Sequence, residues 1–339
     1  MSTSVQRALE IQGVRIRDTF AEAFDMWAAR AIVTARSAAW AHEAARCLTG
    51  FATSVIGCKV EAGVEAELAG AASPDGRPGV SVLLFAFDRD GVGKRLVERI
   101  GQTVLTCPTT ACFDGLPGAA VRVPVGAQLR FFGDGFQSSK QLDGRRYWRV
   151  PVMEGEFLVE DSFGAQPAVG GGNFLIAGRS ADAALAGAEA AVAAMRRLPG
   201  VILPFPGGIV RSGSKVGSRR YRALVASTND AYCPTLRGRI GVQSEVPDEA
   251  NAVLEIVVNG LDRRAVATAL AAGIEAACVP GVVEISAGNY GGKLGKHLFR
   301  LRELVGATST AGQGQGQGQG TGGGGDSGGG DSSGSGASS

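Results

Sequence analysis

The sequence predicts an α+β fold in which two similar halves form two lobes. Short apolar runs alternate with helical patterns up to about residue 308, as is typical of chains that mix strands and helices. A weak internal repeat aligns residues 32–37 with residues 175–180, and in both places a predicted strand leads into a helix. The two halves then continue with the same order of elements, which indicates a duplication.

The first half is expected to span residues 1–170. Ser37 stands where a helix N-cap would accept a backbone N–H at the start of the first helix. The predicted elements are, in order, a strand over 32–37, a helix over 38–48, a strand over 51–60, a strand over 80–87, a helix over 91–101 and a strand over 103–106.

The second half is expected to span residues 171–305. Ser180 or Asp182 is the predicted N-cap of its first helix, and an insertion of about residues 211–250 interrupts the half. The predicted elements are, in order, a strand over 175–180, a helix over 181–198, a strand over 201–210, a strand over 252–259, a helix over 263–278 and a strand over 282–286.

Each half therefore follows the order β-α-β-β-α-β, which is that of the ferredoxin-like unit, where two helices cover one face of a four-stranded antiparallel sheet. An insertion rich in β-hairpins, about residues 113–170, lies between the two units. Its turns are predicted at Asp134-Gly135 and Asp143-Gly144, between runs such as 129–132 and 145–152. Residues 306–339 consist mostly of small and polar residues, so we expect a disordered tail.

Composition narrows the classes of function. The 339 residues carry 34 basic and 32 acidic side chains, so no broad electrostatic field favours nucleic acid or an anionic membrane surface. No apolar run is long enough to cross a bilayer, and the N-terminus lacks a secretory pattern, so we expect a cytoplasmic protein. Six scattered cysteines are expected to stay reduced, and two histidines at no metal-ligand spacing predict no metal site.

Glu255 is the most informative titratable residue, because it stands alone in the apolar run 253–258. A carboxyl group there either faces water on a solvated strand face or is buried for a chemical reason. The pattern alone favours the solvated alternative. Burial would instead raise the pKa and leave a neutral acid that can donate a hydrogen bond.

Two loops supply candidate substrate-binding residues. One gathers polar side chains that either stabilise a turn or contact a ligand. The other contains glycines that either form a tight turn or let backbone amides approach a flat ligand closely. The candidates are Asn229, Asp230 and Tyr232 in the first loop, and Gly207 and Gly208 in the second.

Seven segments together resemble the formylmethanofuran:tetrahydromethanopterin formyltransferase family. They are 18–24, 73–79, 131–135, 155–164, 204–210, 227–235 and 286–295. The resemblance runs from about residue 10 to residue 296, and it implies a duplicated ferredoxin-like fold, a homo-oligomer built as a dimer of dimers, and no prosthetic group. It also implies reversible formyl transfer in a ternary complex, with methanofuran and tetrahydromethanopterin as coenzyme substrates and N5 of the pterin as the second formyl carrier.

The resemblance also implies site residues and partners. The family's key carboxyl lies in a strand that ends Glu-Ile-Val-Ile-Asn-Gly, and the matching run here is 255–260, so Glu255 is the implied catalytic residue. Asn229, Asp230 and Tyr232 would orient the substrates. The Ala-rich helices and the Arg-rich basic residues resemble the bacterial methylotroph type, which is a subunit of a formyltransferase/hydrolase complex with hydrolase subunits as partners.

Two alternatives stay open from the sequence. The chain could be a catalytically silent subunit that binds coenzymes or acts as a scaffold in a formylmethanofuran hydrolase complex. It could also be a ferredoxin-like nucleic-acid or regulatory module, which fold-level analogy alone permits.

Overall fold

The computed structural model describes residues 9–311, and these residues form a mixed α/β architecture around one large sheet. The strands are β1 (Leu9–Ile11), β2 (Val14–Ile16), β3 (Phe20–Thr34), β4 (Glu61–Leu68), β5 (Gly79–Ala86), β6 (Ala111–Asp114), β7 (Val121–Pro124), β8 (Ser138–Leu142), β9 (Arg145–Val152), β10 (Gly155–Glu160), β11 (Ser162–Gly178), β12 (Val201–Ile202), β13 (Lys215–Val216), β14 (Ala226–Ser227), β15 (Ala252–Gly260), β16 (Val282–Ser286) and β17 (His297–Arg300). The α-helices are α1 (Ala38–Thr49), α2 (Val55–Cys58), α3 (Arg89–Arg99), α4 (Gly126–Leu129), α5 (Ala181–Met195), α6 (Arg263–Ala277) and α7 (Leu301–Ala311).

Two long strands, β3 and β11, organise the large sheet. They pair antiparallel to each other, from Phe24 opposite Gly170 to Ala29 opposite Ala165. Beyond this shared segment, β3 pairs with β5 and β6, whereas β11 pairs with β15 and β16. The ladder continues from β5 to β4 and from β15 to β12. A single sheet therefore runs through both halves of the chain.

Helices α1, α3, α5 and α6 pack on one side of this sheet and bury two apolar cores. Helices α1 and α3 contact β3 and β5, while α5 and α6 contact β11, β15 and each other. Strand β15 shows the resulting division of its two faces. Ile256 and Val258 are fully buried in the second core, and Glu255 and Val257 line a cavity. This alternation follows from the period of two in a strand, and it directs Glu255 away from the helices.

The predicted helices are confirmed, and so are two of their N-caps. Ser37 accepts a hydrogen bond from the backbone N–H of Trp40, and Ser180 accepts one from Ala183. A cap of this type contributes about 1 kcal/mol to helix stability. The hairpin turn at Asp143-Gly144 is also confirmed, because it joins β8 to β9 with both residues at positive φ.

Two predicted strands of the first half are wrong. Residues 51–60 contain the short helix α2, which Ser54 caps by accepting the N–H of Ile56, and the strand begins only at Glu61. Residues 103–106 are not a strand, because α3 continues into a π-helical turn over Ile100–Val104, and the final strand of this half is β6. Ile100 and Val104 are fully buried, so the helical apolar face outweighs their β-branched preference for a strand.

One further strand prediction is wrong in part, and the predicted run at 129–132 is not a strand at all. Residues 201–210 form a strand only over Val201–Ile202, because prolines follow and Gly207 adopts a φ of 67°, which ends the ladder. Residues 129–132 end one helical turn and begin a 3₁₀ turn, so the turn at Asp134-Gly135 closes a helical segment and is not the tip of a hairpin.

Two findings concern the membrane and the C-terminal region. No helix within residues 9–311 is long and apolar enough to cross a membrane. Helix α7 extends to Ala311, into the first residues of the predicted tail, and residues 312–339 of that tail lie outside the described residues.

The close contact between residue 295 and β3 gives a test of the fold. A Cβ atom on Gly295 would overlap the backbone carbonyl oxygen of Ala23, which cannot move without disturbing β3. We expect Gly295→Ala to lower the free energy of unfolding by about 1–3 kcal/mol. Chemical denaturation would measure the change. Gly118→Ala is the matched control, because a Cβ atom there meets nothing within 4 Å, and equal effects of the two substitutions would contradict the packing.

Candidate functional site

Glu255 lies in a cleft on the sheet face opposite the helices. The cleft has a volume of about 730 Å³, and Leu175, the cross-strand neighbour of Glu255 on β11, lines it too. The backbone of Glu255 is fixed on its other side by Val210, through hydrogen bonds of 2.9 Å and 2.8 Å in the two directions. The strand pairing therefore fixes the position from which the carboxyl group points into the cleft.

The environment of Glu255 favours the neutral form of its carboxyl group. Burial raises the pKa of Glu255 to about 7, because the charged form is poorly solvated there. Within the described part of the chain, no hydrogen bond or ion pair to this carboxyl group offsets the loss of hydration. Glu255 is partly buried, which favours the alternative of a buried acid over that of a fully solvated strand face.

A second glutamate, Glu22 on β3, anchors the loop over residues 288–295. Its Oε2 accepts the backbone N–H groups of Tyr290 at 2.7 Å and Gly292 at 3.0 Å, and its Oε1 accepts two more, from Leu294 and Gly295, at 2.5 Å each. Burial alone would raise the pKa of Glu22, but these four backbone donors hold it below its ordinary value. Glu22 is therefore an ionised anchor, in contrast to Glu255.

The same loop is also fastened to β11. Asn173 exchanges two hydrogen bonds with the backbone of Gly288, at 2.7 Å and 3.1 Å. These contacts bring Tyr290 to the wall of the cleft that contains Glu255. Burial raises the pKa of Tyr290, and the neighbouring carboxyl groups of Glu255 and Glu22 raise it further. The phenol therefore keeps its proton at neutral pH.

A third glutamate, Glu61, lines the cleft from the first half of the chain. Its Oε2 accepts a hydrogen bond of 2.5 Å from the Asn259 side chain on β15, and its Oε1 accepts the N–H of Val55 at 3.1 Å. Asn259 in turn accepts the N–H of Gly171 at 2.8 Å. Burial raises the pKa of Glu61 above its ordinary value. This chain of hydrogen bonds joins the two halves at one end of the cleft.

Two of the predicted binding residues line the cleft, and the third turns aside. Asn229 and Tyr232 are part of the lining, and the Tyr232 hydroxyl lies 3.4 Å from the Ser286 hydroxyl. Asp230 instead forms ion pairs with Lys215 and Arg219, and the hydrogen bond from Lys215 holds the pKa of Asp230 below its ordinary value. Lys215 itself lines the cleft.

The two predicted glycines lie in a neighbouring region. Gly207 lines a separate cavity of about 740 Å³, whose walls include Arg46 and Phe51. Gly208 is buried, with Val192 and Leu203 as its neighbours. Phe205 lines both this cavity and the central cleft, so the two spaces adjoin at its ring.

Sequence reasoning missed Glu61, Lys215, Asn173 and the individual role of Tyr290. Glu61 and Lys215 stand in polar surroundings that carry no distinctive pattern. Asn173 and Tyr290 lie in glycine-rich segments, 170–173 and 288–295, where close backbone approach gives a hint of a site. Among residues 9–311, no cluster of three or more His, Cys, Asp or Glu side chains could hold a metal ion.

The fold and the cleft define an α/β enzyme in which a carboxylic acid with a raised pKa lines a large open cleft. The chain matches the family described as formylmethanofuran-tetrahydromethanopterin formyltransferase over residues 9–152, and the proximal lobe of that family over residues 155–304. A relative from Methylococcus capsulatus with that enzyme's name is 58% identical over 299 residues, which cover 87% of this chain and 99% of the relative.

Solved structures give the same result. The formylmethanofuran:tetrahydromethanopterin formyltransferase from Methanosarcina barkeri is 52% identical, with a TM-score of 0.83, and the match covers 88% of this chain and 100% of that one. A chain of the formyltransferase/hydrolase complex from Methylorubrum extorquens, solved in complex with methylofuran, is 51% identical, with a TM-score of 0.85 and coverage of 88% and 99%. The chain therefore belongs to the formylmethanofuran-tetrahydromethanopterin formyltransferase family, and it is a transferase. The resemblance found in the sequence is confirmed.

The raised pKa of Glu255 predicts how stability depends on pH. The group titrates near 4.5 when unfolded and near 7 when folded, so the stability that its neutral form provides below pH 4.5 is lost as the pH rises to about 7. A shift of this size corresponds to about 3 kcal/mol. We expect the wild type to lose that amount relative to Glu255→Gln between pH 4.5 and 7, as measured by urea denaturation.

Glu249→Gln serves as the control for this measurement, because Glu249 is exposed and outside the cleft. Its stability should follow the wild-type dependence on pH. If the free energy of unfolding depended on pH in the same way for the wild type and Glu255→Gln, the Glu255 carboxyl would be well solvated, which would contradict the prediction.

Proposed function

We propose that this chain catalyses reversible transfer of a formyl group between formylmethanofuran and N5 of tetrahydromethanopterin. In this proposal, the neutral acid of Glu255 donates a hydrogen bond to the formyl oxygen. Family membership supports the reaction, and the cleft supports the role of the residue. The single observation that carries the mechanism is the partly buried carboxyl group of Glu255 in the wall of the cleft, which has no hydrogen-bond or ion-pair partner within residues 9–311 and whose pKa is raised to about 7. We further propose that the physiological flux runs toward formylmethanofuran and then formate.

The chemistry needs no nucleophile from the protein. N5 attacks the formyl carbon, and negative charge gathers on the formyl oxygen in the tetrahedral intermediate. The proposed role of the Glu255 O–H is to donate a hydrogen bond to that oxygen, which is worth about 3 kcal/mol in a site that excludes water. As the intermediate collapses, the bond to the methanofuran nitrogen breaks, N5 loses its proton and the leaving nitrogen gains one. Holding both substrates in line supplies much of the remaining rate.

The substrate-binding residues of the proposal are Asn229, Asp230, Tyr232, Gly207 and Gly208. The positions of Asn229 and Tyr232 in the wall of the cleft support direct contact with a substrate. Asp230 supports binding indirectly, since its ion pair orients Lys215 at the cleft wall. Gly207 lines the adjoining cavity, which suits a part of the substrate that extends past Phe205.

We propose that the architecture is a duplicated ferredoxin-like fold with lobes at residues 1–170 and 171–305, followed by a tail at 306–339. The strand orders β4-β5-β3-β6 and β12-β15-β11-β16 support the duplication, because each has the second, third, first and fourth strands of its unit side by side. The irregularity between Val169 and Gly172 in β11 supports the boundary, since the register shifts there and Gly171 has a φ of 82°.

The proposed partners are hydrolase subunits of a formyltransferase/hydrolase complex, in the cytoplasm, and further copies of this chain arranged as a dimer of dimers. Similarity to a chain of the Methylorubrum extorquens complex supports the hydrolase partners. The same structure, solved with methylofuran, supports a furan coenzyme as one substrate. No prosthetic group and no nucleic acid form part of the proposal.

Removal of the acid tests the mechanism. Glu255→Ala takes away the donor to the formyl oxygen, so we expect turnover to fall by roughly a hundredfold or more with the fold intact. A spectrophotometric formyl-transfer assay with purified protein would measure turnover. Glu249→Ala is the matched control and should retain wild-type turnover, because Glu249 is exposed.

The wild-type protein in the same assay distinguishes the enzyme from its alternative. Absence of formyl transfer with both coenzymes would favour a catalytically silent scaffold subunit. Normal turnover in Glu255→Ala would be consistent with the proposed reaction but would contradict the proposed role of Glu255 in it.

The protonation state of Glu255 also predicts a pH profile. Only the neutral form donates a hydrogen bond, so turnover should fall as the pH rises through about 7, by roughly tenfold per unit well above that value. Glu255→Gln keeps an N–H donor that does not titrate, and its profile should be flat over this range. The measurement is kcat between pH 5.5 and 9, and an unchanged alkaline limb in Glu255→Gln would contradict the assignment.

A further inference from the structure

Tyr290 has an unused donor at the wall of the cleft. Its side chain is 37% exposed, and its phenol oxygen forms no hydrogen bond within residues 9–311. A phenol O–H without a protein partner at the wall of a cleft is available to a ligand that enters the cleft. The ring lines the same cleft as Glu255.

The sheet register places the start of the loop that contains Tyr290 on the same row of residues as Glu255. Leu175 on β11 pairs with Glu255 on one side and with Ser286 on the other, so these three residues form a row across adjacent strands. Neighbouring strands are about 4.8 Å apart, which puts Ser286 about 10 Å from Glu255 along the row. The chain leaves β16 at Ser286, and four residues later Tyr290 lies at the cleft wall.

The backbone beneath Tyr290 is held unusually firmly. Glu22 accepts the Tyr290 N–H itself, and the neighbouring Asn289 side chain donates hydrogen bonds of 3.1 Å to Thr19 and to the carbonyl of Phe20. On the other side, Gly288 is paired with Asn173. Hydrogen bonds thus fix the loop at three successive residues, 288–290, while the hydroxyl of Tyr290 forms no hydrogen bond within residues 9–311. A rigid backbone that presents a free donor is what a preorganised site requires.

We propose that Tyr290 is a further catalytic residue, whose phenol O–H donates a second hydrogen bond to the formyl oxygen beside Glu255. The inference rests on the proposed formyl transfer and names another donor for it. During the reaction the phenol keeps its proton, and no bond of Tyr290 is formed or broken. Two preorganised donors on one oxygen stabilise its developing charge better than one, at no cost of reorganisation.

The electrostatics of the loop agree with this role. Burial and the nearby carboxyl groups disfavour the phenolate, so Tyr290 donates throughout the pH range in which Glu255 titrates. Above pH 7 the ionised Glu255 no longer donates, and the tyrosine then remains as a donor. Residual turnover at high pH should therefore depend on Tyr290.

Tyr290→Phe tests the proposal, because it deletes the hydroxyl and keeps the ring. We expect kcat to fall by at least tenfold while the KM values of both substrates change by less than about threefold. In the background of Glu255→Gln, the same substitution should again reduce kcat at every pH. The thermal unfolding midpoint should stay at its wild-type value, since the loop is fastened through its backbone.

Tyr221→Phe is the matched control, because Tyr221 is exposed and lies outside the cleft. It should leave kcat unchanged. Wild-type kcat in Tyr290→Phe, with a loss only in Tyr290→Ala, would show that the ring merely fills space, and it would overturn the proposal. If the wild type itself transfers no formyl group, the proposed function fails, and that outcome is distinct from turnover that is insensitive to the hydroxyl.

Discussion

The antiparallel pairing of β3 with β11 is the contact on which both lobes and the cleft depend. Each strand is long enough to serve its own half of the chain and still share a segment with the other strand. The shared segment has buried apolar residues, including Met26, Ala28 and Ala168, which form a small core of their own with Val55 of α2. Because the strands lie side by side, Glu22 on β3 and Asn173 on β11 both bind the backbone of the loop over residues 288–295.

Three glutamates of this cleft show how environment sets the charge of one side-chain type. Glu22 accepts four backbone N–H groups and is held ionised, whereas Glu255 has no such donors within residues 9–311 and is still about half protonated near pH 7. At Glu61, burial raises the pKa, although two hydrogen bonds, from Asn259 and Val55, favour the charged form. The ionised Glu22 therefore holds the loop over residues 288–295 in place, whereas Glu255 lines the open cleft where a substrate can lie.

The sequence predicts those features that depend on local pattern. Helices with N-caps, the hairpin at Asp143-Gly144 and the isolated acid at 255 all follow from residues close together in the chain. The β-branched side chains at residues 51–60 predict a strand. The structure has a helical turn there, because Ser54 caps it and the backbone N–H of Val55 donates a hydrogen bond to the Glu61 side chain. Strand propensity predicts poorly where side chains accept hydrogen bonds from the backbone N–H groups and so stabilise a turn.

The rest of the site depends on contacts across long stretches of chain. Asn259 meets Glu61 across 198 positions, and Glu22 meets the N–H of Tyr290 across 268 positions, so no local pattern could reveal either contact. The same limit applies to the burial of Glu255, which the strand pattern made the less favoured alternative. Its pKa depends on what closes over the sheet face, and those segments come from both ends of the chain.

The lack of a partner for the Glu255 carboxyl lowers the stability of the fold near neutral pH, but it keeps the proton that the proposed donor role needs. Replacing the acid with a neutral residue of similar size would remove the destabilisation that grows as the pH rises from about 4.5, the unfolded value, to the folded pKa of about 7. A hydrogen bond from Asn or Arg would relieve it as well, but it would also hold the group ionised and remove the donor. An unpartnered acid in an otherwise well-bonded cleft is therefore what a donor role requires, since the features that would stabilise the carboxylate are those that would abolish its proton.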